Sequence, residues 1–293
     1  MQRAFPIAPF LAALFGIGVY CCMDAVMKGL SISLGAYNAS LWRMVVALPM
    51  MAGVYFVRRE PWPSRVLMRL HILRGTVAVA MLLLWFWGIV RVPLAEGIAL
   101  SFIAPLITLY LAAVLLHEPV HAREIVASVV ALLGIGVIIL GRLGVKHGPD
   151  ALWGVIAILV AAVLYAYNLV LQRQQAQAAS PQAIGFFNTL VVLVWLLLFA
   201  PHWAMLPSHI YWPMIILGAF LGSAAIIINA WAYGRAEARI VVMSEYTAFI
   251  WAALLGYIFF QEPITSATLA GTVLIVLGCL LVVRTSTGVE TGV

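Results

Sequence analysis

Charge is scarce in this sequence. Of 293 residues only 9% are Asp, Glu, Lys or Arg, against roughly 25% in an ordinary soluble domain. The chain also lacks a G-x-x-x-x-G-K-[ST] phosphate loop and a G-x-S-x-G nucleophile elbow. No stretch between the apolar runs is long enough to form a nucleotide-binding domain. These absences exclude direct use of ATP by this chain. They also mean that no nucleophile motif supports a serine hydrolase.

Cysteine is scarce as well, with three residues in the chain. Cys21, Cys22 and Cys279 all lie inside apolar runs, without the spacing of a metal site or of an extracellular disulfide framework. We therefore expect them to pack as small hydrophobic residues, and we expect no cofactor and no metal. The N-terminus has no A-x-A-like cleavage site, so its apolar run is predicted to be a retained first span.

Apolar residues dominate what remains, at 65% of the chain, and the mean hydropathy is +1.11. Runs of about 20 apolar residues, which is the length that crosses ~30 Å of hydrocarbon, recur from end to end. The sequence therefore predicts an all-α polytopic membrane protein. The ten predicted spans cover roughly residues 9–30, 37–57, 70–90, 95–116, 123–141, 152–172, 183–200, 212–233, 240–260 and 267–284.

The sequence repeats itself with a long period. Glu118-Pro119 and Glu262-Pro263 lie 144 positions apart (262 − 118), and the same offset carries Asp24 onto Asn168. We interpret both Glu-Pro pairs as turns that end a span, in two copies of one half, residues 1–145 and 146–293. Because each half holds five spans, an odd number, the second half enters the membrane from the opposite side. The predicted architecture is two inverted five-helix repeats around a central cavity.

The basic residues sit at the ends of spans rather than in a stripe, which favours membrane orientation over nucleic-acid binding. With both termini in the cytoplasm, the outer positions hold only Lys28, Arg91, Arg142 and Lys146. The inner positions then hold Arg3, Arg58, Arg59, Arg65, Arg69, Arg123, Arg173, Arg235, Arg239 and Arg284. This asymmetry predicts that both termini are cytoplasmic.

Polar side chains inside spans cost free energy unless they pair with another polar group or contact water, so they are the candidate site residues. Two clusters are predicted, one toward each membrane face, and in-span aromatic side chains could stack on a planar substrate. An Asp24–Arg43 pair could equally be structural, and both readings stay open. The candidates for substrate or ion binding are Tyr20, Asp24, Arg43, Trp85, Glu96, Asn168, Asn188, Asn229, Glu245 and Phe249.

Glu245 is the in-span carboxylate with the strongest claim to function, because its repeat mate is only Ser101. It lies about 9 Å into span nine, at a rise of 1.5 Å per residue. Its predicted partner is Arg74, a cationic group of the substrate, or a transported proton. A fixed Glu245–Arg74 pair is the structural alternative.

One motif suggests an enzyme. Residues 117–121 match H-E-x-x-H, in which His117 and His121 would bind zinc and Glu118 would activate water. Pro119 disfavours the continuous helix that this motif needs. The repeat copy, residues 261–265, keeps Glu-Pro and has neither histidine. An intramembrane zinc hydrolase is therefore the weaker hypothesis, beside a membrane scaffold that transports nothing.

The ends of spans four and nine, "LLHEP" and "FFQEP", and the five-plus-five organisation resemble the EamA group of the drug/metabolite transporter superfamily. The segments "PLAEGIALSFIAPL" and "SEYTAFIWAALLGYIFF" resemble its bacterial branch. The resemblance implies a secondary carrier of the bacterial inner membrane that moves a small metabolite by alternating access. It implies a binding site between the halves and leaves open the cargo, the direction, a coupling proton, and a monomer or a homodimer.

Overall fold

The computed structural model describes residues 7–104, 106–107, 110–111, 122–142, 150–233, 235 and 247–286. These residues are nearly all helical and contain no strand. The helices are α1 (Ile7–Val57), α2 (Arg65–Ile89), α3 (Leu94–Ser101), α4 (Ala122–Arg142), α5 (Ala151–Ala176), α6 (Pro181–Trp203), α7 (Trp212–Tyr233), α8 (Ala248–Phe260) and α9 (Ser266–Ser286), with a short 3-10 turn at His209–Tyr211. The predicted all-helical class is confirmed.

A single glycine joins the first two predicted spans. Gly35 has a φ of 78° and a ψ of 152°, which breaks the helical path inside α1. A positive φ of this kind favours glycine, because glycine has no Cβ. Met27 and Arg43, from the two sides of this break, both lie next to Gly218 of α7. The chain therefore turns back on itself at Gly35, and α1 consists of two antiparallel arms, 7–34 and 36–57.

Span four is interrupted. Helix α3 ends at Ser101, Phe102 and Ile103 form a turn, and the chain is helical again at Ala104. In the second half, α8 begins at Ala248, the repeat mate of Ala104. Both halves thus start a helix at the same repeat position, which lies beside the central cavity described below. Interrupted helices of this kind are typical of transporter binding sites, where irregular backbone lines a cavity.

The packing of helices is unchanged when the halves are exchanged. The α1 helix packs mainly against α7, and α2 packs against α5. When each helix is replaced by its repeat mate, the first of these pairs becomes the second. Helix α4 packs against α9, and α3 against α8, and the exchange maps each of these pairs onto itself. The fold therefore has two repeats, as the sequence predicts.

Glycines allow the closest helix crossings, and they act within the chain. A Cβ atom on Gly134 of α4 would lie 2.6 Å from the carbonyl oxygen of Gly271 on α9. The G-x-x-x-G of α7, Gly218 and Gly222, faces both arms of α1. These contacts join helices of the same chain, so the glycines are used within the bundle.

Five helices among the described residues are long and apolar enough to cross a membrane. They lie within α1, α2, α5 and α6 and over His209–Ala232, and α1 holds two predicted spans. Shorter apolar helices occur at Leu132–Gly141, Ala248–Phe260 and Ser266–Leu277. Each of the ten predicted spans contains described helical residues. Spans four and nine are described only in part, so the count of ten stays a prediction.

Candidate functional site: a polar cavity between the two halves

A cavity of about 310 Å³ lies between the halves, at the lower end of the range for small-molecule sites. Its wall is mostly apolar, with a limited set of polar and aromatic side chains. Both halves contribute to this set. Its members are Tyr20, Asp24, Arg43, Arg74, Trp85, Phe86, Ser101, Phe102, Tyr165, Asn168, Gln172, Asn188 and Asn229.

Arg43 is the most deeply placed charge in this wall. Its side chain is 6% exposed, yet its Nε atom has no hydrogen-bond partner among the described residues. Its guanidinium lies 5.9 Å from the ring centre of Phe86 and against Gly222, where a Cβ atom would come within 2.9 Å of Nη1. Glycine at position 222 therefore makes the room that the guanidinium occupies.

Asp24 faces the same cavity. Its Oδ1 accepts a hydrogen bond from Nε1 of Trp85 at 3.2 Å. Asp24 and Arg43 interact electrostatically, but they form no ion pair within 4.0 Å; the ion pairs of the described residues lie elsewhere. The structural Asp24–Arg43 ion pair, one of the two interpretations that the sequence left open, is therefore not formed in this structure, and both side chains face the cavity.

Arg74 is held by neutral groups. Its Nε donates to Oδ1 of Asn168 at 3.2 Å, and its Nη1 donates to Oε1 of Gln175 at 2.8 Å. The amide nitrogen of Gln175 in turn lies 3.0 Å from Nδ1 of His71, which stacks on the ring of Phe187. Within the described part of the chain no carboxylate pairs with Arg74. Glu245, its predicted partner, lies outside the described residues.

Sequence reasoning missed Gln175 and His71. Span six was predicted to end at residue 172, whereas α5 continues to Ala176, which places Gln175 inside the bundle. Gln175 is 1% exposed and His71 is 1% exposed. The available signal was the spacing of Asn168, Gln172 and Gln175, which puts three amides on one helix face at intervals of four and three.

Two asparagines present unsatisfied acceptors. The Oδ1 atoms of Asn188 and Asn229 are buried and accept no hydrogen bond from any described residue. The amide nitrogen of Asn229 is already used, since it donates to the carbonyl oxygen of Ala225 at 2.9 Å. Buried polar atoms without a partner are uncommon in native structures. Both residues line the cavity, so these acceptors suit N–H or O–H donors of a bound molecule.

The two halves contribute different chemistry. Among the described lining residues, all three charges, Asp24, Arg43 and Arg74, come from the first half. The second half supplies the neutral amides of Asn168, Gln172, Asn188 and Asn229. A molecule in this cavity therefore meets formal charge on one side and uncharged acceptors on the other.

Two predicted site residues do not line the cavity. Glu96 is 3% exposed in the first turn of α3, away from the wall that Asp24 and Arg43 share. Phe249 packs against the apolar core, and its neighbour Ala248 lines the cavity instead. One residue turns a helix by about 100°, which decides which of the two faces inward.

Glu262 was predicted to mark only a turn, and the structure gives it more contacts. Its carboxylate forms an ion pair with Nζ of Lys28, and its Oε2 accepts a hydrogen bond from the backbone N–H of Leu94 at 2.7 Å. Lys28 also donates to the carbonyl oxygen of Val92 at 2.8 Å. Pro263 follows in the predicted position, and Gln261 caps α8 in the left-handed conformation. Glu118 and Pro119, the first-half copy, lie outside the described residues.

Among the described residues, no three His, Cys, Asp or Glu side chains lie close enough together to hold a metal ion. His117, Glu118 and His121, which form the H-E-x-x-H motif, lie outside that part of the chain. The zinc hypothesis therefore gains no support from the geometry.

Comparison with known proteins gives consistent results. The chain is 21% identical over 280 residues to the pseudopaline exporter CntI of Pseudomonas aeruginosa, covering 95% of this chain and 96% of that protein. It is 23% identical over 264 residues to the S-adenosylmethionine uptake transporter of Rickettsia prowazekii, covering 89% and 87%. The riboflavin transporter of Vibrio cholerae is 24% identical over 219 residues, covering 74% and 72%.

A solved crystal structure matches this fold with a TM-score of 0.64 over 94% of this chain and 97% of the other, at 17% identity, which shows the fold alone. The sequence profile of the EamA-like transporter family matches the chain twice, at residues 6–140 and 152–284. The two matches correspond to the two halves deduced from the internal repeat. The chain is a multi-pass membrane protein, and it belongs to the EamA-like transporter family.

Proposed function

We propose that this protein is a secondary transporter that moves a small polar or amphipathic metabolite across the bacterial inner membrane by alternating access. The observation that carries the proposal is the cavity between the halves, in which Nε of Arg43 and the Oδ1 atoms of Asn188 and Asn229 have no hydrogen-bond partner among the described residues. Amino acids, nucleoside-like and vitamin-like compounds are the candidate cargo, and the similarity to named metabolite transporters supports this choice. Either a monomer or a homodimer fits this mechanism.

Contacts at the ends of the helices support an inverted arrangement of the repeats. At one end, Lys28 meets Glu262, and Arg91 meets Asp150 at 4.0 Å. The first arm of α1 finishes at this end, whereas α5, its repeat mate, begins there. At the other end Trp62 packs on Phe187 with ring centres 5.3 Å apart. The repeat mates thus run in opposite directions, which suits a carrier whose two states exchange the roles of the halves.

Topology gives a direct test. In a background with the three native cysteines replaced, Ala122→Cys and Ser266→Cys are introduced one at a time at matching repeat positions. We expect a membrane-impermeant thiol reagent added to intact cells to label Cys at position 266 and not at position 122, because both termini are proposed to be cytoplasmic. Permeabilised cells provide the control for reactivity. Labelling of both positions from the same side would contradict the inverted repeat.

Transport itself is tested with proteoliposomes that contain the purified protein and are loaded with a bacterial metabolite extract. We expect mass spectrometry to find selective loss of one chemical class of metabolite. Asp24→Asn should reduce this loss by roughly tenfold or more, since the substitution removes a charge that lines the cavity. Asp150→Asn is the matched control, because its side chain is 64% exposed and lies outside the cavity. Loss of no metabolite would favour the scaffold hypothesis instead.

Asp24 and Glu245 are the carboxylates that we propose for contact with substrate or for carriage of a coupling proton. Tyr20 and Trp85 are proposed to contact the body of the substrate, because both line the cavity. Glu96 and Phe249 stay proposed only as residues that support the site from outside its wall.

A further inference from the structure

We infer that the cavity is built for an amphoteric substrate, one that carries a carboxylate and several N–H donors on an apolar or planar body, and that Arg43 is the anchor for the carboxylate. This inference rests on the proposed transport function and specifies its substrate class. It follows from which polar groups of the cavity already have partners and which do not.

Arg43 is the cavity cation that has no hydrogen-bond or ion-pair partner among the described residues; its neighbours are the ring of Phe86 and, at longer range, Asp24. A guanidinium carries five N–H donors in a fixed plane that matches a carboxylate. Arg43 makes neither a hydrogen bond nor an ion pair with any described residue, although it is 6% exposed. Leaving a buried charge in this state costs free energy unless something in the cavity satisfies it. An anionic group of the substrate supplies that partner.

Arg74 does not compete for this role. Asn168 and Gln175 already accept from its guanidinium, at 3.2 Å and 2.8 Å. These contacts use two of the five N–H donors of Arg74 and hold its guanidinium against α5, whereas no described residue accepts a hydrogen bond from Arg43. The anion is therefore assigned to Arg43, and Arg74 is assigned to positioning Asn168 and Gln175 at the cavity wall.

The opposite wall calls for donors. The Oδ1 atoms of Asn188 and Asn229 have no partner among the described residues, so they can accept hydrogen bonds from a bound molecule. The carboxyl group of Asp24, on the same side of the cavity as Arg43, is a further acceptor and is held by Trp85. An amino group or a ring N–H meets this need, whereas a simple anion would leave these acceptors empty. Because Arg43 belongs to the first half and the asparagines to the second, one substrate with both kinds of group bridges the halves.

The remaining wall limits the body of the substrate. Trp85, Phe86 and Tyr165 present aromatic surface, and Met23, Met44 and Met81 present thioethers. Methionine adapts its shape to the molecule that it contacts, and aromatic rings stack on planar groups. A volume of about 310 Å³ restricts that body to a small metabolite.

The test is substitution of Arg43 combined with flux measurement of a mixed metabolite extract in proteoliposomes. We expect the compounds that the native protein releases from the proteoliposomes to carry a carboxylate and N–H donors. Arg43→Gln should lower their flux by roughly ten- to a hundredfold, since a hydrogen bond to a charged group is worth about 1.5–3 kcal/mol and each 1.4 kcal/mol is tenfold. Arg69→Gln, the same change at an exposed position, should leave the flux unaltered.

A second variant guards against misfolding. Arg43→Lys keeps the charge beside Asp24 but loses the planar fork, so its melting temperature should match the native protein while the flux of carboxylates still falls. A matched series, phenylalanine, phenethylamine, 3-phenylpropionate and phenyl phosphate, is then used to compete with the exported compound. Phenylalanine should compete best, and Arg43→Lys should abolish its advantage over phenethylamine.

Several results would overturn the inference. The first is that the transported compounds lack a carboxylate, and the second is that Arg43→Gln leaves the flux unchanged. The third is that phenyl phosphate competes more strongly than phenylalanine and 3-phenylpropionate do. Failure of all four probes to compete would also refute this substrate class. In each of these cases the protein still transports, so the proposed function stands. If the native protein moves no metabolite at all, the proposed function fails and this inference fails with it.

Discussion

Glu262→Gln is expected to lower the free energy of unfolding by about 3–5 kcal/mol, because it leaves the charge of Lys28 buried without its counter-ion. Lys28 is 2% exposed, and the ion pair ties the first arm of α1 to the segment after α8. The measurement is denaturant-induced unfolding of the purified protein in micelles. Lys28→Met combined with Glu262→Gln should be less destabilising than the sum of the single changes, since no orphan charge is left.

Arg91 and Asp150 supply the control for this experiment. They are 4.0 Å apart, and Asp150 is largely exposed, so Asp150→Asn should change stability by less than about 1 kcal/mol. Equal effects of Glu262→Gln and Asp150→Asn would mean that the buried pair contributes no more than a surface contact.

The ion pair also makes the two ends of the protein unequal. The repeat mates of Lys28 and Glu262 are Gln172 and Glu118, which cannot form an ion pair with each other. The pair Lys28–Glu262 joins the halves at one end. Under the proposed alternating-access mechanism, we expect loss of the pair to shift the population toward conformations open at the end where Glu262 lies.

Gly134→Ala is expected to have the second large effect, a loss of about 3 kcal/mol in the free energy of unfolding. The added Cβ atom would lie 2.6 Å from the carbonyl oxygen of Gly271 and 2.8 Å from a side-chain carbon of Ile275. Because the first of these is backbone, α4 and α9 must move apart, and overpacking of this kind costs about 1–3 kcal/mol. The same unfolding measurement reports it.

Gly136→Ala, in the same helix, is the matched control. No atom lies within 4 Å of a Cβ atom built on Gly136, so this change should be neutral or stabilise the helix by about 0.5–1 kcal/mol. If Gly134→Ala were as mild as Gly136→Ala, the crossing of α4 and α9 would not depend on a small residue.

Much of the fold follows from the sequence, because its signals are long and repeated. Apolar runs of membrane length and the 144-residue offset predict the helical bundle and its two halves. Gly35 shows the limit of this reasoning: spans one and two were predicted to be separated by a short connection, and one positive φ makes the whole turn.

The site was predictable where a polar residue sits deep inside a span. Asp24, Arg43, Asn168, Asn188 and Asn229 all line the cavity, since hydrocarbon offers them no partner. Their role in binding remains a prediction.

Helix rotation and long-range pairing were not predictable from the pattern. Whether Phe249 or Ala248 faces the cavity depends on a rotation of about 100°, which an apolar helix leaves unmarked because both faces are hydrophobic. The pairing of Lys28 with Glu262 joins residues that the repeat aligns with Gln172 and Glu118 instead. Self-similarity within the chain reveals which residues are equivalent, and equivalent residues need not touch.

The unequal chemistry of the halves decides whether one half could act without the other. Pairing two copies of the first half would place Asp24, Arg43 and Arg74 in the cavity twice, with two surplus positive charges and no asparagine from the second half. Pairing two copies of the second half would supply amides to the cavity without any of these charges. Neither half can therefore rebuild the cavity with a copy of itself. We therefore expect neither half to form this cavity when it is expressed alone, and both halves to be needed together.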